Sequence, residues 1–510
     1  MSLRDALLAS LADVPGTREF HIHVLVSSPR KRSDIYPYAI PRPKVYLQDI
    51  LILLSEQPPL SASRVLTTAI EASFHNIPAT SCGILYVSKV DSSGHAAKPS
   101  PTTALVKGLL GFYADPSARP THVDHLWIQL FARAQGQYLF PNSADFPGKR
   151  PLADLQLCSW WKHVLSDTAA TTLSREKGPP NVKLFYVLPG LSELEATHAL
   201  NAARATPSAH ASLSWIYGHP YNQSEIPLPC PPIKNNARRN LGHFIPSFDD
   251  DPKSRFMDEI AHTMNADAVS SPKRKKPRPP DSRASDRGAD DNAATEEVQG
   301  ELSKVSPDEF WERMSFRQEC ISGVVTAFFA LGISGPGGPD QSAGAVSHSP
   351  LAPQPGQVAP RMVERVIATL MNHHEFSTRE RALRATETLE GAIKGLCEDL
   401  AAVPSSPTLT RHSVREATPE PGPSHLEVPK TPPRRAAQLP DISPNPFPEP
   451  VASLETYHSF IYGSVAVDNP LPPPKDAAAT GAQGAGAGGE RAAGPQVTML
   501  TARKKRKTPS

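Results

Sequence analysis

The sequence predicts one α/β domain that occupies roughly the first 330 residues of the 510-residue chain. Short apolar or alternating segments, typical of strands, are mixed there with segments whose apolar residues recur at helical intervals. The five tryptophans mark the same region as the densest core, because large aromatic side chains are mostly buried. They are Trp127, Trp160, Trp161, Trp215 and Trp311.

Three segments have the pattern of strands. Residues 20–27 alternate weakly and are rich in β-branched side chains, and residues 84–87 form a short apolar run followed by polar residues. Residues 182–188 have a similar apolar and aromatic character. Residues 125–132 fit a strand or a helix, because so short an apolar run does not reveal its period.

Three segments in the first part of the chain have apolar residues at helical spacing. They are residues 60–74, 103–113 and 152–165, and the last of them contains the Trp160–Trp161 pair. Each is therefore predicted to be a helix.

A further helix is predicted to begin at Pro307. Ser306 is its N-cap, Pro307 takes the first helical position, and Glu309 stands three residues after the cap, as in a capping box. Gly332 is predicted to end this helix, so the GISG that begins there is a helix stop and not a phosphate loop. The side chains expected on the buried face are Phe310, Met314, Ile321, Val324, Val325 and Phe328.

Much of the remaining sequence is too polar or too biased in composition to fold. Residues 267–303 are predicted to be a disordered insertion, and residues 336–360 a linker rich in Pro, Gly and Ser. Residues 361–402 have helical periodicity with a break near Phe376, which indicates two helices at the end of a domain of residues 1–402. Residues 403–510 are predicted to be a disordered tail with a basic C-terminus.

Bulk composition disfavours several classes of protein and site. A formal net charge of +2 implies no polyanion partner by itself, and five scattered cysteines without a CxxC pair disfavour a disulfide framework or a zinc ribbon. The chain has neither a signal-peptide-like start nor a run of about 18 apolar residues, so we expect a soluble intracellular protein with no membrane partner. The pairs His21/His23 and His373/His374 lack a further ligand set, so no metal site is expected.

Three polar clusters could carry chemistry. Residues 88–94 form a polar turn after a strand, which suits a ligand at the strand end or a solvated turn. Residues 131–161 combine three cations with aromatics, which suits a ligand that is part phosphate and part apolar, or a solvated loop beside core aromatics. In residues 248–256 consecutive acids precede a proline. They either cap a helix or attract a lysine ammonium, and their spacing does not decide between the two.

Five motifs in a fixed order carry a family resemblance. They are YVSKVDSSG, QYLFPNS followed by a WW pair, FDDDPKSRF, FWERMSFRQE running into GISG, and a terminal ARKKRK. In this order they resemble the fungal histone H3 lysine-56 acetyltransferases, the regulator of Ty1 transposition type. The resemblance covers roughly residues 80–165 and 240–335 strongly, residues 361–402 weakly, and the basic C-terminus.

The resemblance implies the fold of the CBP-type acetyltransferases, which is a central mixed β-sheet wrapped by helices. It implies acetyl-CoA as co-substrate in a groove across the sheet, with no metal. The residues implied to act on the acceptor lysine are an acid at a strand end, two aromatics lining a lysine tunnel and two adjacent acids: Asp91, Tyr138, Trp161, Asp250 and Asp251. Lys253 corresponds to a buried lysine that the family acetylates on itself.

The same resemblance implies which residues contact acetyl-CoA. Thr103 stands where some members carry Arg, so one phosphate contact is predicted to be missing. The implied contacts are Phe131, Ala132, Arg133, Gln135, Leu139, Lys149, Arg150, Pro151 and Arg255.

The function implied is an acetyl-CoA-dependent lysine acetyltransferase in the nucleus. It would act on histone H3, at core lysine 56 and at lysines of the N-terminal tail, in replication-coupled nucleosome assembly and the DNA damage response. The implied partners are histone H3–H4 and histone chaperones of the nucleosome-assembly-protein and anti-silencing-function types, without sequence-specific nucleic acid. Two basic runs, residues 273–276 and 503–507, are predicted to direct nuclear entry.

Two other functions stay open on the residues alone. A non-catalytic chromatin scaffold could bind histones or DNA through the basic runs, and a different acyl-CoA-dependent transferase could use similar residues. A scaffold has no need for Asp91, Trp161 and Asp251 together, so their joint presence favours an enzyme. The chemistry we predict is direct attack of the lysine amine on the thioester, with Asp251 or Asp91 orienting the lysine or accepting its proton. Cys158 is expected to pack in the core.

Overall fold

One mixed β-sheet of ten strands runs through the residues that the computed structural model describes. These are residues 1–59, 63–175, 181–203, 213–232, 239–262, 302–321, 323–335, 349–398 and 447–471. Both basic runs lie outside them, as do nearly all of the predicted insertion and much of the predicted linker and tail. The strands are β1 Gly16–Val26, β2 Arg30–Arg32, β3 Val45–Gln57, β4 Val65–Ile77, β5 Cys82–Ser92, β6 His125–Ala132, β7 Asn181–Val187, β8 Trp215–Tyr217, β9 Ala327–Ser334 and β10 Tyr462–Asn469.

The strands are arranged in the order β10-β1-β3-β4-β5-β6-β9-β7-β8, with β2 beside β3. Neighbours are antiparallel except for β5 with β6 and β7 with β8, which are parallel. The prediction of a central mixed sheet wrapped by helices is therefore confirmed. The helices are α1 Leu3–Ala12, α2 Thr102–Ala114, α3 Asp154–Arg175, α4 Glu193–Ala202, α5 Pro252–His262, α6 Pro307–Met314, α7 Gln318–Ile321, α8 Pro360–His373 and α9 Arg379–Glu398.

Helices cover both faces of the sheet, and β3 shows how the sequence achieves this. Its alternate residues Ile50, Ile52 and Leu54 pack with α1, α2 and α3, whereas Leu51 and Leu53 pack with α8 and α9. Because both faces are buried there, β3 is apolar without interruption from Ile50 to Leu54. No helix within the described ranges is long and apolar enough to cross a membrane.

Several predicted elements are confirmed. Residues 103–113 and 152–165 lie in α2 and α3, and residues 361–398 form the two predicted helices, with the break between His373 and Arg379. The ambiguous residues 125–132 form the strand β6. Ser306 caps α6 by accepting a hydrogen bond from the Glu309 amide at 3.2 Å.

The helix predicted for residues 60–74 is wrong. Residues 65–77 form β4, which pairs with β3 on one side and β5 on the other. A strand buried on both faces places apolar side chains at spacings that also satisfy a helix. Here Leu66 and Ala69 face the α9 side, and Ile70 and Ala72 the α2 side.

The helix predicted to run from Pro307 to Gly332 is also wrong: it ends at Met314, resumes only as the short α7 Gln318–Ile321, and is replaced by a strand from Ala327. Phe328 and Gly332 lie in β9, the strand between β6 and β7. A Cβ atom at Gly332 would lie 2.9 Å from Cζ3 of Trp127 on β6. Gly332 therefore permits close approach of a neighbouring aromatic and does not stop a helix.

The prediction of a structureless tail from residue 403 is wrong for residues 447–469. Strand β10 pairs antiparallel with β1 from Gly16↔Asn469 to His23↔Tyr462, and the compact unit extends from Met1 to Asn469. Tyr457 and Ile461 are buried against the α8–α9 side of the sheet. These few aromatic and apolar residues stabilise an edge strand, although the composition around them is biased.

Candidate active site

A cavity of about 370 Å³ opens where the two parallel strands β5 and β6 separate. Their pairing ends at Val87↔Leu130, although both strands continue beyond it. The carboxyl end of parallel strands is where α/β sheets commonly bind ligands. The turn of residues 88–94, singled out in the sequence, lies at this position.

A β-bulge at Ser88 determines which side chains reach the cavity. In the pairing with β4, Lys89 lies opposite Glu71 and Val87 lies opposite Ala72, so Ser88 is the extra residue. Its hydroxyl donates to the Glu71 carbonyl at 2.8 Å. Because the bulge reverses the alternation, Val90 packs with the α2–α3 core cluster and Lys89 contacts Glu71 on the opposite face.

Asp91 is buried, and its carboxylate anchors the loop that follows β6. One oxygen accepts three backbone N–H bonds, from Tyr138 at 2.7 Å, Leu139 at 2.8 Å and Phe140 at 3.1 Å. The other accepts from Lys149 Nζ at 2.8 Å. With both oxygens saturated, Asp91 is suited to hold the cavity wall and not to accept a proton.

Gly94 lets this wall close. Its φ is +86°, and a Cβ atom there would lie 2.6 Å from the Lys149 Cβ. Only glycine fits such an approach without strain. The SSG of the first motif therefore allows Lys149 to reach Asp91.

Aromatic side chains form the apolar wall. Trp160 and Trp161 pack edge to face with centroids 4.7 Å apart, and the Trp160 indole donates to Thr103 Oγ1 at 3.0 Å. Tyr138 donates its hydroxyl to the Arg133 carbonyl. Burial raises the pKa of Tyr138 to about 12, so the phenol is neutral at physiological pH.

Two cations remain for an anionic ligand. Arg133 and Arg150 line the cavity, and within the part of the chain that the structure describes neither guanidinium forms an ion pair. Lys149 also lines it, but its ammonium is committed to Asp91 and to Ser143 Oγ, both at 2.8 Å. Arg133 and Arg150 are therefore the groups suited to bind phosphate.

Most residues predicted for the site lie together, but five do not line this cavity. Leu139 is buried in the core cluster beside α8 and α9, and Arg255 is on the exposed side of α5. Asp250, Asp251 and Lys253 lie at the start of α5. Those that do line it are Asp91, Phe131, Ala132, Arg133, Gln135, Tyr138, Lys149, Arg150, Pro151 and Trp161.

The three α5 residues form two separate ion pairs. Asp251 is buried, and it accepts from the Lys253 amide at 2.9 Å and lies 2.8 Å from Lys253 Nζ. Asp250 is exposed, has a left-handed φ of 63°, and lies 3.2 Å from Lys89 Nζ. Asp251 thus caps α5 and neutralises Lys253, while Asp250 faces the approach to the site.

A small cavity beside Lys253 contains an unused hydrogen-bond donor. Lys253, Gln129, Tyr221, Trp311 and Phe328 line about 20 Å³ of space. The Trp311 indole N–H is buried and has no hydrogen-bond partner among the residues that the structure describes. The Lys253 ammonium lies 4.9 Å from the Phe328 ring centroid.

An acidic groove of about 520 Å³ lies on the other side of Ser88, which lines both spaces. Arg30 and Arg32 in the groove pair with Asp49 and Asp34. No group of His, Cys, Asp and Glu in the described ranges is arranged to hold a metal ion. The groove carboxylates are Asp34, Asp49, Glu71, Asp249, Asp250, Asp258 and Glu364.

Sequence reasoning missed Lys89, Trp160 and Trp311 as parts of these sites. Lys89 and Trp160 stand inside quoted motifs, but no sequence signal marks the bulge that places Lys89. Thr103, which stands where some members of the resembling family carry Arg, lines the cavity and accepts a hydrogen bond from the Trp160 indole. Trp311 was noted only among the five tryptophans of the predicted core, and it stands in a quoted motif.

The chain is similar in sequence to known proteins. Residues 116–391 match the histone acetyltransferase KAT11-type domain. The chain is similar to histone acetyltransferase rtt109 of Aspergillus flavus, with 31% identity over 277 residues, which is 50% of this chain and 42% of that protein. It is also similar to histone acetyltransferase rtt109 of Schizosaccharomyces pombe, with 26% identity over 257 residues, which is 49% of this chain and 52% of that protein. The chain thus spans about half the length of the curated relatives that it matches.

The fold is similar to a solved structure. The crystal structure of Rtt109 from Aspergillus fumigatus matches with a TM-score of 0.56 and 24% identity, covering 76% of this chain and 96% of that chain. At this identity the likeness establishes the fold alone.

Proposed function

The chain belongs to the KAT11-type histone acetyltransferase family, and on that premise we propose that it transfers the acetyl group of acetyl-CoA to lysine side chains of histone H3. The observation that carries the proposal is the cavity at the ends of β5 and β6. It combines an aromatic wall with two guanidinium groups, those of Arg133 and Arg150, that form no ion pair with any described side chain.

The cavity residues fit acetyl-CoA. Arg133 and Arg150 match its phosphates, and the wall formed by Trp160, Trp161 and Leu157 suits its apolar arm. Thr103 supplies a hydroxyl that is already bonded to Trp160, in place of the cation of some relatives.

The acceptor lysine must lose its proton before it reacts, since a free lysine has a pKa near ~10.4. Desolvation between Tyr138 and Trp161 favours the neutral amine. The amine attacks the thioester carbonyl carbon, the C–N bond forms, the C–S bond breaks, and the departing thiolate takes up a proton. Burial raises the pKa of the Cys158 thiol to about 12, which disfavours a covalent acyl-cysteine route.

Each acid has a different role in this proposal. Asp250 is exposed at the entrance and receives the acceptor ammonium, and it or water takes the proton. Asp91 positions the loop that carries Tyr138, and Asp251 positions α5. The basic flanks of a histone segment would lie along the acidic groove, where opposite charge favours association.

The finer assignments follow the resemblance. We propose core lysine 56 and tail lysines of H3 as acceptors, presented by histone chaperones in the nucleus during nucleosome assembly and the DNA damage response. Residues 503–507 would bind an acidic chaperone surface, and with residues 273–276 would direct nuclear entry.

Reversing the charge of the two free cations tests the proposal directly. In Arg133→Glu/Arg150→Glu, we expect KM for acetyl-CoA to rise by at least about tenfold, because each charge-assisted hydrogen bond contributes roughly 1.5–3 kcal/mol. Transfer of radiolabelled acetyl to H3–H4 measures this, and Arg384→Glu, an exposed change on α9, is the control. No transfer by the unaltered protein, with or without chaperones, would favour the scaffold alternative.

Acetylation of Lys253 is a second part of the proposal. An acetyl-lysine amide would donate its N–H to Asp251 and accept from the buried Trp311 indole N–H. It would thereby use a donor that otherwise lacks a partner.

We therefore expect Lys253 to be acetylated in active protein and unmodified in the Asp91→Ala variant. Intact mass and peptide mapping measure the modification, with Lys183 on β7 as the internal comparison. Trp311→Phe should lower the acetylated fraction or its protection from deacetylation. A peptide map in which Lys253 is always unmodified would contradict the assignment.

A further inference from the structure

Lys89 stands between the cavity and the acidic groove. Its side chain lines the cavity, whereas its two carboxylate partners, Glu71 and Asp250, line the groove. The Lys89 Nζ atom lies 3.0 Å from Glu71 Oε2 and 3.2 Å from Asp250 Oδ2. A lysine that passes from the groove into the cavity must therefore come close to this ammonium.

The position of Lys89 is built into the sheet. The bulge at Ser88 places it opposite Glu71, on the face where Tyr86 stacks on Phe248 with ring centroids 4.0 Å apart. Phe248 leads directly into the acids at the start of α5, so the same packing brings Asp250 to Lys89. Glu71 on β4 and Asp250 at the start of α5 thus contact the Lys89 ammonium from two sides.

The charges around Lys89 favour exchange with an incoming cation. Arg30 and Arg32 are committed to Asp49 and Asp34, which leaves Lys89 as the cation paired with Glu71 and Asp250 among the described side chains. The Asp250 side chain is 76% exposed, so its pair with Lys89 is weak and easily exchanged.

Lys89 is not itself suited to be the acceptor. Burial alone would lower its pKa, but the charges of Glu71 and Asp250 outweigh this and raise the pKa above the ordinary value. The ammonium therefore keeps its proton, whereas an acceptor amine must lose one.

We propose that Lys89 is an internal competitor of the acceptor lysine, because its ammonium pairs with Asp250, the carboxylate that receives the acceptor ammonium on entry, and with the neighbouring Glu71. The inference rests on the proposed function and adds a residue that sets the affinity for the acceptor. Because the acceptor must displace Lys89, its entry costs binding free energy. An acceptor with neighbouring cations offsets this cost by binding the other carboxylates of the groove, whereas an isolated lysine does not.

Lys89→Met tests this, since it keeps an apolar stem and removes the charge. At low salt we expect KM for a basic H3 peptide to fall by about fivefold, as expected for removing one like charge at short range. KM for acetyl-CoA should stay within about twofold, and the peptide effect should shrink near 0.5 M salt. Lys89→Arg should resemble the unaltered protein.

The control variant is Lys183→Met on β7, whose ammonium lies 2.8 Å from Glu225 and whose side chain is 27% exposed, against 24% for Lys89. Thermal unfolding of each variant checks that the fold is kept, and Lys89→Gln repeats the test if the Met variant is unstable. A folded neutral variant with unchanged or higher peptide KM overturns the proposal. Absence of acetyl transfer by the unaltered protein would instead reject the proposed function, and anisotropy of a labelled basic peptide would still report the competition.

Discussion

Replacing Asp91 by asparagine is expected to lower acetyl transfer by about 10²-fold or more and the free energy of unfolding by about 3 kcal/mol. The carboxylate accepts from three consecutive backbone amides and from Lys149. An asparagine side chain has one acceptor oxygen and an NH₂ group, so at least one buried donor would face another donor. Both the Tyr138 loop and Lys149 would shift.

The measurement must show whether Asp91 holds the cavity wall in place or accepts the substrate proton. If Asp91 anchors the wall, Asp91→Asn should also raise KM for acetyl-CoA and speed amide exchange in residues 138–140, because Lys149, Arg150 and Tyr138 lose their positions. If it were a base, the variant would bind acetyl-CoA normally and stay as stable as the unaltered protein. The control is Asp115→Asn at the end of α2, which also removes a carboxylate that accepts a hydrogen bond from the backbone. Full activity in a stable Asp91→Asn variant would contradict both roles.

The fold could be predicted where a segment is buried on one face or has a clear cap. The helix start at Ser306 and the break between α8 and α9 were predictable because capping chemistry and the interruption of helical spacing are local. Residues 60–74 were not, because a strand buried on both faces no longer alternates. The strand β3 was overlooked, although it has 13 residues and contains the uninterrupted apolar run from Ile50 to Leu54.

The edge strand β10 shows a different limit. Its neighbours in sequence are rich in Pro and Ala, so composition predicted disorder. The partner that orders it, β1, lies more than 400 residues away in the chain. Pairing between such distant segments leaves almost no local signal.

For the site, the residue types were predictable and their groupings were not. Arg133, Tyr138 and Trp161 were identified through the cluster of residues 131–161 and the family resemblance, and all three line one cavity. Asp250 and Asp251 are adjacent in sequence, yet one is exposed at the groove and the other is buried against Lys253. The left-handed φ of Asp250 directs the two side chains to different places. The presence of adjacent aspartates in the sequence does not predict this backbone conformation.

In protein whose Lys253 is not acetylated, Asp251→Asn is expected to reduce the free energy of unfolding by about 3–5 kcal/mol, because it leaves the Lys253 ammonium buried beside a neutral amide. Both side chains are almost wholly inaccessible, at 0% for Asp251 and 5% for Lys253. Turnover should fall by about 10²-fold, since α5 carries Asp250 to the entrance and small displacements there are costly.

The double variant Asp251→Asn/Lys253→Met distinguishes the effect of losing the whole ion pair from the effect of losing the Asp251 charge alone. Removing both charges leaves no unpaired ion, so we expect it to be more stable than Asp251→Asn alone and to regain part of the lost turnover. Urea unfolding and steady-state acetylation of H3–H4 measure the two effects. The exposed pair Arg381–Glu375 provides the matched comparison, where Glu375→Gln should change stability far less than Asp251→Asn does. If Asp251 instead accepts the substrate proton, the double variant should regain stability without activity. Stability that stays as low in the double variant as in the single would show that Asp251 supports α5 through its cap to the Lys253 amide and not through its charge.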